Sequence, residues 1–140
     1  MKTVVITSYF NPIHPGHIEC LQLCKGLGDQ LWVIVNNDEQ AKLKTKSEVF
    51  QDREFRMKVV DSIKGVDQVF LAVDEDSVCE SIRAMAEKIR AKYAETKIIF
   101  GKGDRFAGNI PEVQVCKELG IEIRDGLSKT HNSSDFRVKI

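Results

Sequence analysis

His14 and His17 close the stretch Thr-Ser-Tyr-Phe-Asn-Pro-Ile-His-Pro-Gly-His, residues 7–17, with only Pro15 and Gly16 between them. The apolar run Val4-Val5-Ile6 precedes this stretch, and an amphipathic segment, Ile18 to Leu27, follows it. This order predicts a buried strand, a turn and a helix. Pro15 suits the first helical turn, where its missing N–H has no intrahelical partner to lose. His14 then falls just before the helix and His17 in its first turn. The unpaired N–H groups and the positive end of the helix dipole point to the same place. Two imidazoles beside such an anion site can hold phosphate oxygens while negative charge builds on them.

The elements that must carry this site follow from hydrophobic patterning. Lys2–Thr7 and Gln30–Val35 are nearly continuous apolar runs, as expected of strands buried on both faces. Val66–Val73, Lys97–Phe100 and Ile121–Arg124 read as three further strands. Helices are predicted over 16–27, with Ile18, Leu21, Leu23 or Cys24, and Leu27 on the inner stripe, and over 52–63, with Phe55, Val59, Val60 and Ile63 inward. A long helix is predicted over 74–93, with Ser77 and Glu80 as a capping box. Pro111 to Leu119 is a short helix, and Gly120 ends it. Residues 40–49 read as a loop that bears Lys42, Lys44 and Lys46.

Strand and helix alternate, which argues a mostly parallel sheet with right-handed crossovers. In such sheets ligands bind beyond the strand C-termini. The unusual polar stretches follow the first, second, fourth and fifth strands. They are therefore expected to converge on one cleft.

Composition narrows the class. The chain has 140 residues, of which 42% are apolar and 30% charged, with 21 basic and 21 acidic side chains. This suits one globular domain spanning residues 1–140. Zero formal net charge disfavours a general nucleic-acid binder. No apolar run reaches membrane-spanning length and none reads as a signal peptide, so a cytoplasmic location is expected. Cys20, Cys24, Cys79 and Cys116 form no Cys-x-x-Cys pair and lack further ligands for zinc. They read as reduced thiols in or near the core, and no protein metal site is expected.

Phe10-Asn11-Pro12-Ile13-His14-Pro15-Gly16-His17 resembles the (F/D/N)-x-x-H-x-G-H signature of the HxGH nucleotidyltransferase superfamily. The resemblance is strongest to its glycerol-3-phosphate cytidylyltransferase and heptose-phosphate adenylyltransferase branches. It implies a Rossmann-like α/β three-layer sandwich around a five-stranded parallel sheet of order 3-2-1-4-5. It also implies transfer of CMP or AMP from CTP or ATP to a small phosphorylated acceptor, with Mg²⁺ on the triphosphate, in a homodimer. Such transfer needs positioning and charge neutralisation more than a general base, because the attacking phosphate oxygen is already anionic.

The resemblance also distributes roles. His14 and His17 would stabilise the α-phosphate, with Asn11, Gly16 and the backbone of Ser8, Tyr9 and Phe10 around the triphosphate. Asn37-Asp38-Glu39-Gln40 is similar to a strand-end sequence of the cytidylyltransferase branch, which gives Lys44 and Lys46 phosphate contacts. Glu54-Phe55-Arg56 is similar to a Glu-x-Arg segment, which makes Arg56 a phosphate ligand, with Arg53 competing. Gly101-Lys102-Gly103-Asp104-Arg105 resembles a Lys-Gly-Gly-Asp turn and puts Asp104 near ribose or acceptor. Asn132-Ser133-Ser134-Asp135-Phe136-Arg137 resembles Ile-Ser-Ser-Thr-x-x-Arg, in which Ser133 and Ser134 would donate to the β- and γ-phosphates. Asn132 and Asp135 depart from that pattern. The sequence leans slightly to CTP. An ATP-dependent cofactor adenylyltransferase, of the FAD synthetase or pantetheine-phosphate type, and a non-catalytic nucleotide-binding module are the competing readings.

Overall fold

The computed structural model describes residues 1–8, 15–36, 53–73, 78–102 and 111–124. These contain strands β1 (Lys2–Ser8), β2 (Gln30–Val35), β3 (Gln68–Leu71), β4 (Lys97–Gly101) and β5 (Glu122–Arg124). Helices α1 (Pro15–Gly26), α2 (Arg53–Asp61), α3 (Cys79–Lys92) and α4 (Pro111–Leu119) alternate with them. The strands form one sheet in the order β3-β2-β1-β4-β5, and every neighbouring pair is parallel. This is the predicted Rossmann-like architecture. β1 lies at its centre, with Val4 registered against Leu31 on one side and Ile99 on the other.

Side chains alternate between the two faces along each strand. Val4, Ile6, Leu31, Val33, Val35 and Ile99 point to one face, where Cys20, Leu21 and Cys24 of α1 and Val60 of α2 cover them. Val5, Trp32, Ile34, Ile98 and Phe100 point to the other, under Ile82, Met85, Ala86 and Ile89 of α3 and Val115 and Cys116 of α4. The sheet is thus sandwiched between two helical layers, and apolar burial on both faces explains the continuous apolar strands.

Three local expectations are corrected. Ile18 is exposed, and the inner stripe of α1 runs through Gly16, Cys20, Leu21 and Cys24. Phe55 is exposed as well, while Arg56 and Val60, one turn apart, face the sheet. The cap of α3 is Val78, not Ser77, and it makes no side-chain cap bond. Val78 is buried in the core, so apolar packing holds this helix start. Two glycines are dictated by geometry. Gly120 ends α4 at φ +70°, a left-handed conformation that favours glycine. A Cβ on Gly28 would lie 2.8 Å from the Lys2 carbonyl oxygen, so only glycine lets the chain pass this close to β1.

Candidate functional site

The parallel strands all end on one edge of the sheet, at Ser8, Val35, Leu71, Gly101 and Arg124. The helices that follow them start on that same edge. α1 opens with Pro15-Gly16-His17, so the sequence motif does feed a helix N-terminus beside the central strand. Gly16 is buried and His17 is half-buried, in the first turn.

The helix termini differ in charge. α2, α3 and α4 carry Glu54, Glu80 and Glu112 in their first turns, where a carboxylate offsets the positive end of the dipole. α1 carries no acidic residue there. Its first turn therefore lacks a carboxylate to offset the dipole, and His17 adds an imidazole there.

Arg56 is the largest fully buried side chain described, at 1% exposure. It stands in the first turn of α2, and its Nη1 donates to the Asn36 carbonyl oxygen at 2.7 Å. Asn36 is itself buried and is the first residue beyond β2. The guanidinium thus holds the end of β2, one strand away from Ser8. The neighbouring strand end is tied as well. The Ala72 N–H donates to the Val35 carbonyl at 2.9 Å, and the Val73 N–H donates to Ser81 Oγ at 2.9 Å. On the other flank the Lys102 N–H donates to the Arg124 carbonyl at 2.9 Å, joining the ends of β4 and β5.

Among the predicted residues, Ser8, Gly16, His17 and Arg56 stand at this one edge. Tyr9, Phe10, Asn11, His14, Lys44, Lys46, Asp104, Ser133 and Ser134 lie outside the described residues. Sequence reasoning did not single out Asn36, whose carbonyl receives Arg56. The signal for it was weak: a polar residue directly after an apolar strand.

Two of the thiols are held protonated. A hydrogen bond to Cys20, followed by burial, pushes the Cys24 thiol far above its ordinary range. Burial pushes the Cys116 thiol up to about 12. All four cysteines are free, as expected of core thiols. Among the described residues no group of three His, Cys, Asp or Glu side chains could hold a metal ion. A cleft of about 380 Å³ lies between α3 and α4, away from the strand ends, and Glu80, Arg83, Ala84, Glu87 and Leu119 line it. Among the described residues no helix is long and apolar enough to cross a membrane.

Comparison with known proteins agrees with the fold. A family profile described as cytidylyltransferase-like matches residues 5–123. An FAD synthase of Methanocorpusculum labreanum is 36% identical over 112 residues, covering 70% of this chain and 78% of that protein. The bifunctional protein HldE of Gluconobacter oxydans is 34% identical over 102 residues, covering 70% of this chain but only 21% of its own length. Across the curated relatives the matched share varies widely, and another FAD synthase, from Ferroglobus placidus, is spanned over 49% of its length. Among solved structures, a lipopolysaccharide core biosynthesis protein from Thermoplasma volcanium superposes with a TM-score of 0.64 at 23% identity. That match covers 94% of this chain and 99% of the other, and it supports the fold alone.

Proposed function

This chain belongs to the cytidylyltransferase-like family and is a nucleotidyltransferase, and we propose that it transfers AMP from ATP to flavin mononucleotide, forming FAD. The observation that carries the choice of substrates is the 36% identity to an FAD synthase over 70% of the chain. The slight sequence preference for CTP gives way to ATP on that ground, since FAD contains an adenylyl group.

The chemistry requires little of the protein beyond geometry and charge. A phosphate oxygen of the acceptor attacks the α-phosphorus of ATP. The new P–O bond forms as the bond to the β-phosphate oxygen breaks, and pyrophosphate leaves with the electron pair. No net proton transfer is needed. Negative charge grows on the α-phosphate oxygens in the transition state, and preorganised donors there lower the barrier. His17 and the acid-free N-terminus of α1 fit that task. Arg56 keeps the phosphate role that its motif gives it and adds a structural one. Buried against the Asn36 carbonyl, it fixes the end of β2 and adds positive potential to the cleft.

Mg²⁺ neutralises charge on the triphosphate when bound. His14, Asn11, Gly16, the backbone of Ser8, Tyr9 and Phe10, and Lys44, Lys46, Asp104, Ser133 and Ser134 keep the nucleotide and acceptor roles that the motifs give them. A single catalytic domain over 1–140, a homodimer and a cytoplasmic location complete the reading.

A second reading has its own support. The 34% identity to the bifunctional protein HldE favours a sugar phosphate as acceptor, with the same adenylyl transfer. One assay separates the possibilities: pyrophosphate release with ATP, CTP, GTP and UTP, each against flavin mononucleotide, glycerol 3-phosphate and hexose and heptose phosphates. Rapid release with ATP and flavin mononucleotide, together with FAD formation, is the expected result. Release only with CTP and a polyol phosphate would restore the cytidylyltransferase reading. No release with any pair would leave a nucleotide-binding module.

A further inference from the structure

Four polar side chains are buried among the described residues: Thr3, Asn36, Arg56 and Ser81. Three of them have a partner. Thr3 Oγ1 shares a hydrogen bond with Thr96 Oγ1 at 2.8 Å, Arg56 Nη1 donates to the Asn36 carbonyl oxygen, and Ser81 Oγ accepts from the Val73 N–H. Asn36 is the exception. Arg56 takes its backbone carbonyl, but its side-chain carboxamide, at 5% exposure, makes no hydrogen bond among the described residues.

Buried polar side chains are bonded with few exceptions, and each exception calls for a reason. Packing supplies none here. Asn36 follows the apolar run Leu31–Val35, which another apolar residue would continue without leaving a polar group unpaired. Folded proteins keep such local inconsistencies mainly at functional sites. The position fits that explanation. Val35 is registered against Ser8, so Asn36 stands just past the level at which β1 ends. It lies one strand spacing, about 4.8 Å, to the side of the central strand. β1 leads to the N-terminus of α1, with Gly16 and His17. The bond from Arg56 fixes the Asn36 backbone at this edge.

We propose that the Asn36 carboxamide is a substrate contact that bonds hydroxyl groups on the carbons next to a phosphate held at the N-terminus of α1. This contact rests on the reading that the reacting phosphates meet at that helix end. A carboxamide has N–H donors and a carbonyl acceptor, and a hydroxyl matches both. A phosphate oxygen would satisfy only the donors, and an apolar group neither. The edge of a base or a flavin ring also offers both, but it lies beyond the sugar or ribityl chain, farther from the phosphate than one strand spacing. A hydroxyl on the neighbouring carbons is only a few bonds away. The ribityl chain of flavin mononucleotide and the ribose of ATP both carry such hydroxyls, and the test has an arm for each.

The KM for flavin mononucleotide is compared with that for a flavin bearing a plain pentyl phosphate chain, and the KM for ATP with that for dideoxy-ATP. In one arm the wild type should prefer the hydroxylated substrate roughly tenfold, the range of a lost hydrogen bond. Asn36→Val should abolish that preference, and the arm in which it disappears identifies the substrate touched. Asn36→Ala, which only truncates the side chain, should show the same loss and carries the test if the valine variant does not fold. The unliganded Asn36→Val protein should melt no earlier than wild type, since it loses a buried group without a partner. A structural asparagine would instead lower the melting temperature and leave the preference intact. A preference that survives both variants in both arms, or none in the wild type, would overturn this inference and leave the acceptor reading standing. A wild type that makes no FAD would remove the flavin reading alone. The ATP arm, with glycerol 3-phosphate against propyl phosphate as the acceptor pair, would then decide the role of Asn36.

Discussion

His17 carries the clearest residue-level prediction. It occupies the first turn of α1, half-buried, where an anion meets the helix dipole and the imidazole together. An interaction that strengthens as charge develops on the α-phosphate contributes more to the transition state than to the bound ground state. His17→Ala should therefore slow turnover by about 10²- to 10³-fold, the usual effect of losing one such donor. Nucleotide affinity should change little, and the melting temperature should barely move. Rapid-mixing kinetics and calorimetry measure all three quantities. Collapse of the fold would make the residue structural and remove it from the site. The placement of His17 was legible because Pro15 marks a helix start and Val4-Val5-Ile6 marks the strand before it. Arg56 was legible only in part. A helical period through 55, 59, 60 and 63 and one through 56 and 60 differ by a single residue of rotation. Hydrophobicity chose the first, with Phe55 inside. The fold chose the second, because a guanidinium at this position reaches the Asn36 carbonyl and satisfies a buried polar group.

Element boundaries followed the same logic. β2 and α4 begin and end where the sequence places them, since apolar continuity defines the first and Pro111 with Gly120 brackets the second. The stripe of α1 was legible at Leu21 and, as one alternative, Cys24; Ile18 and Leu23 lie outside it, and the small Gly16 and Cys20 let α1 pack close to the sheet. What joins the elements is partly invisible to pattern reading. Asp67, just before β3, accepts from the Leu31 N–H and the Lys25 ammonium, each at 2.8 Å. It thereby links the end of α1 and the start of β2 to the approach of β3. Burial pushes the Asp67 carboxyl up, but the hydrogen bonds from Lys25 and Leu31 and the charge of Lys25 outweigh it, and the net shift is downward. A carboxyl held lower in the folded chain than in the unfolded one stabilises the fold above its unfolded pKa of about 3.9. That contribution is lost as pH falls through the lower, folded value. Asp67→Asn should accordingly melt earlier than wild type at neutral pH, by an amount below about 1 kcal/mol because the pair is partly exposed. The difference should shrink below about pH 4. Calorimetric scans across that window check the sign, and a gap that widens in acid would refute the assignment.

At the scale of the whole molecule, the sheet separates two cores that share no side chain but share strands β1 to β4. Trp32, the chain's only tryptophan, reports on the face under α3 and α4, where it stacks with Phe70 at 5.5 Å between ring centroids. The proposed nucleotide site lies at the N-terminus of α1, which packs on the opposite face. A ligand that binds only the folded state raises stability by about 2.7 kcal/mol when present at 100 times its dissociation constant. If the described elements unfold as one unit, that gain must reach Trp32 through the strands. Saturating ATP analogue should then raise the melting temperature seen by Trp32 fluorescence by several degrees. Far-UV circular dichroism, which sees all the helices, should give the same midpoint and the same increment. The coupling has a physical route, because Val4 and Val5 are adjacent residues of β1 that anchor opposite cores, and Leu31 and Trp32 do the same in β2. One layer cannot melt without exposing the apolar face of strands that the other still holds. An ATP-induced shift seen by circular dichroism but absent from Trp32 fluorescence would mean that the two layers unfold separately. The ligand edge would then draw its stability from the α1–α2 face alone.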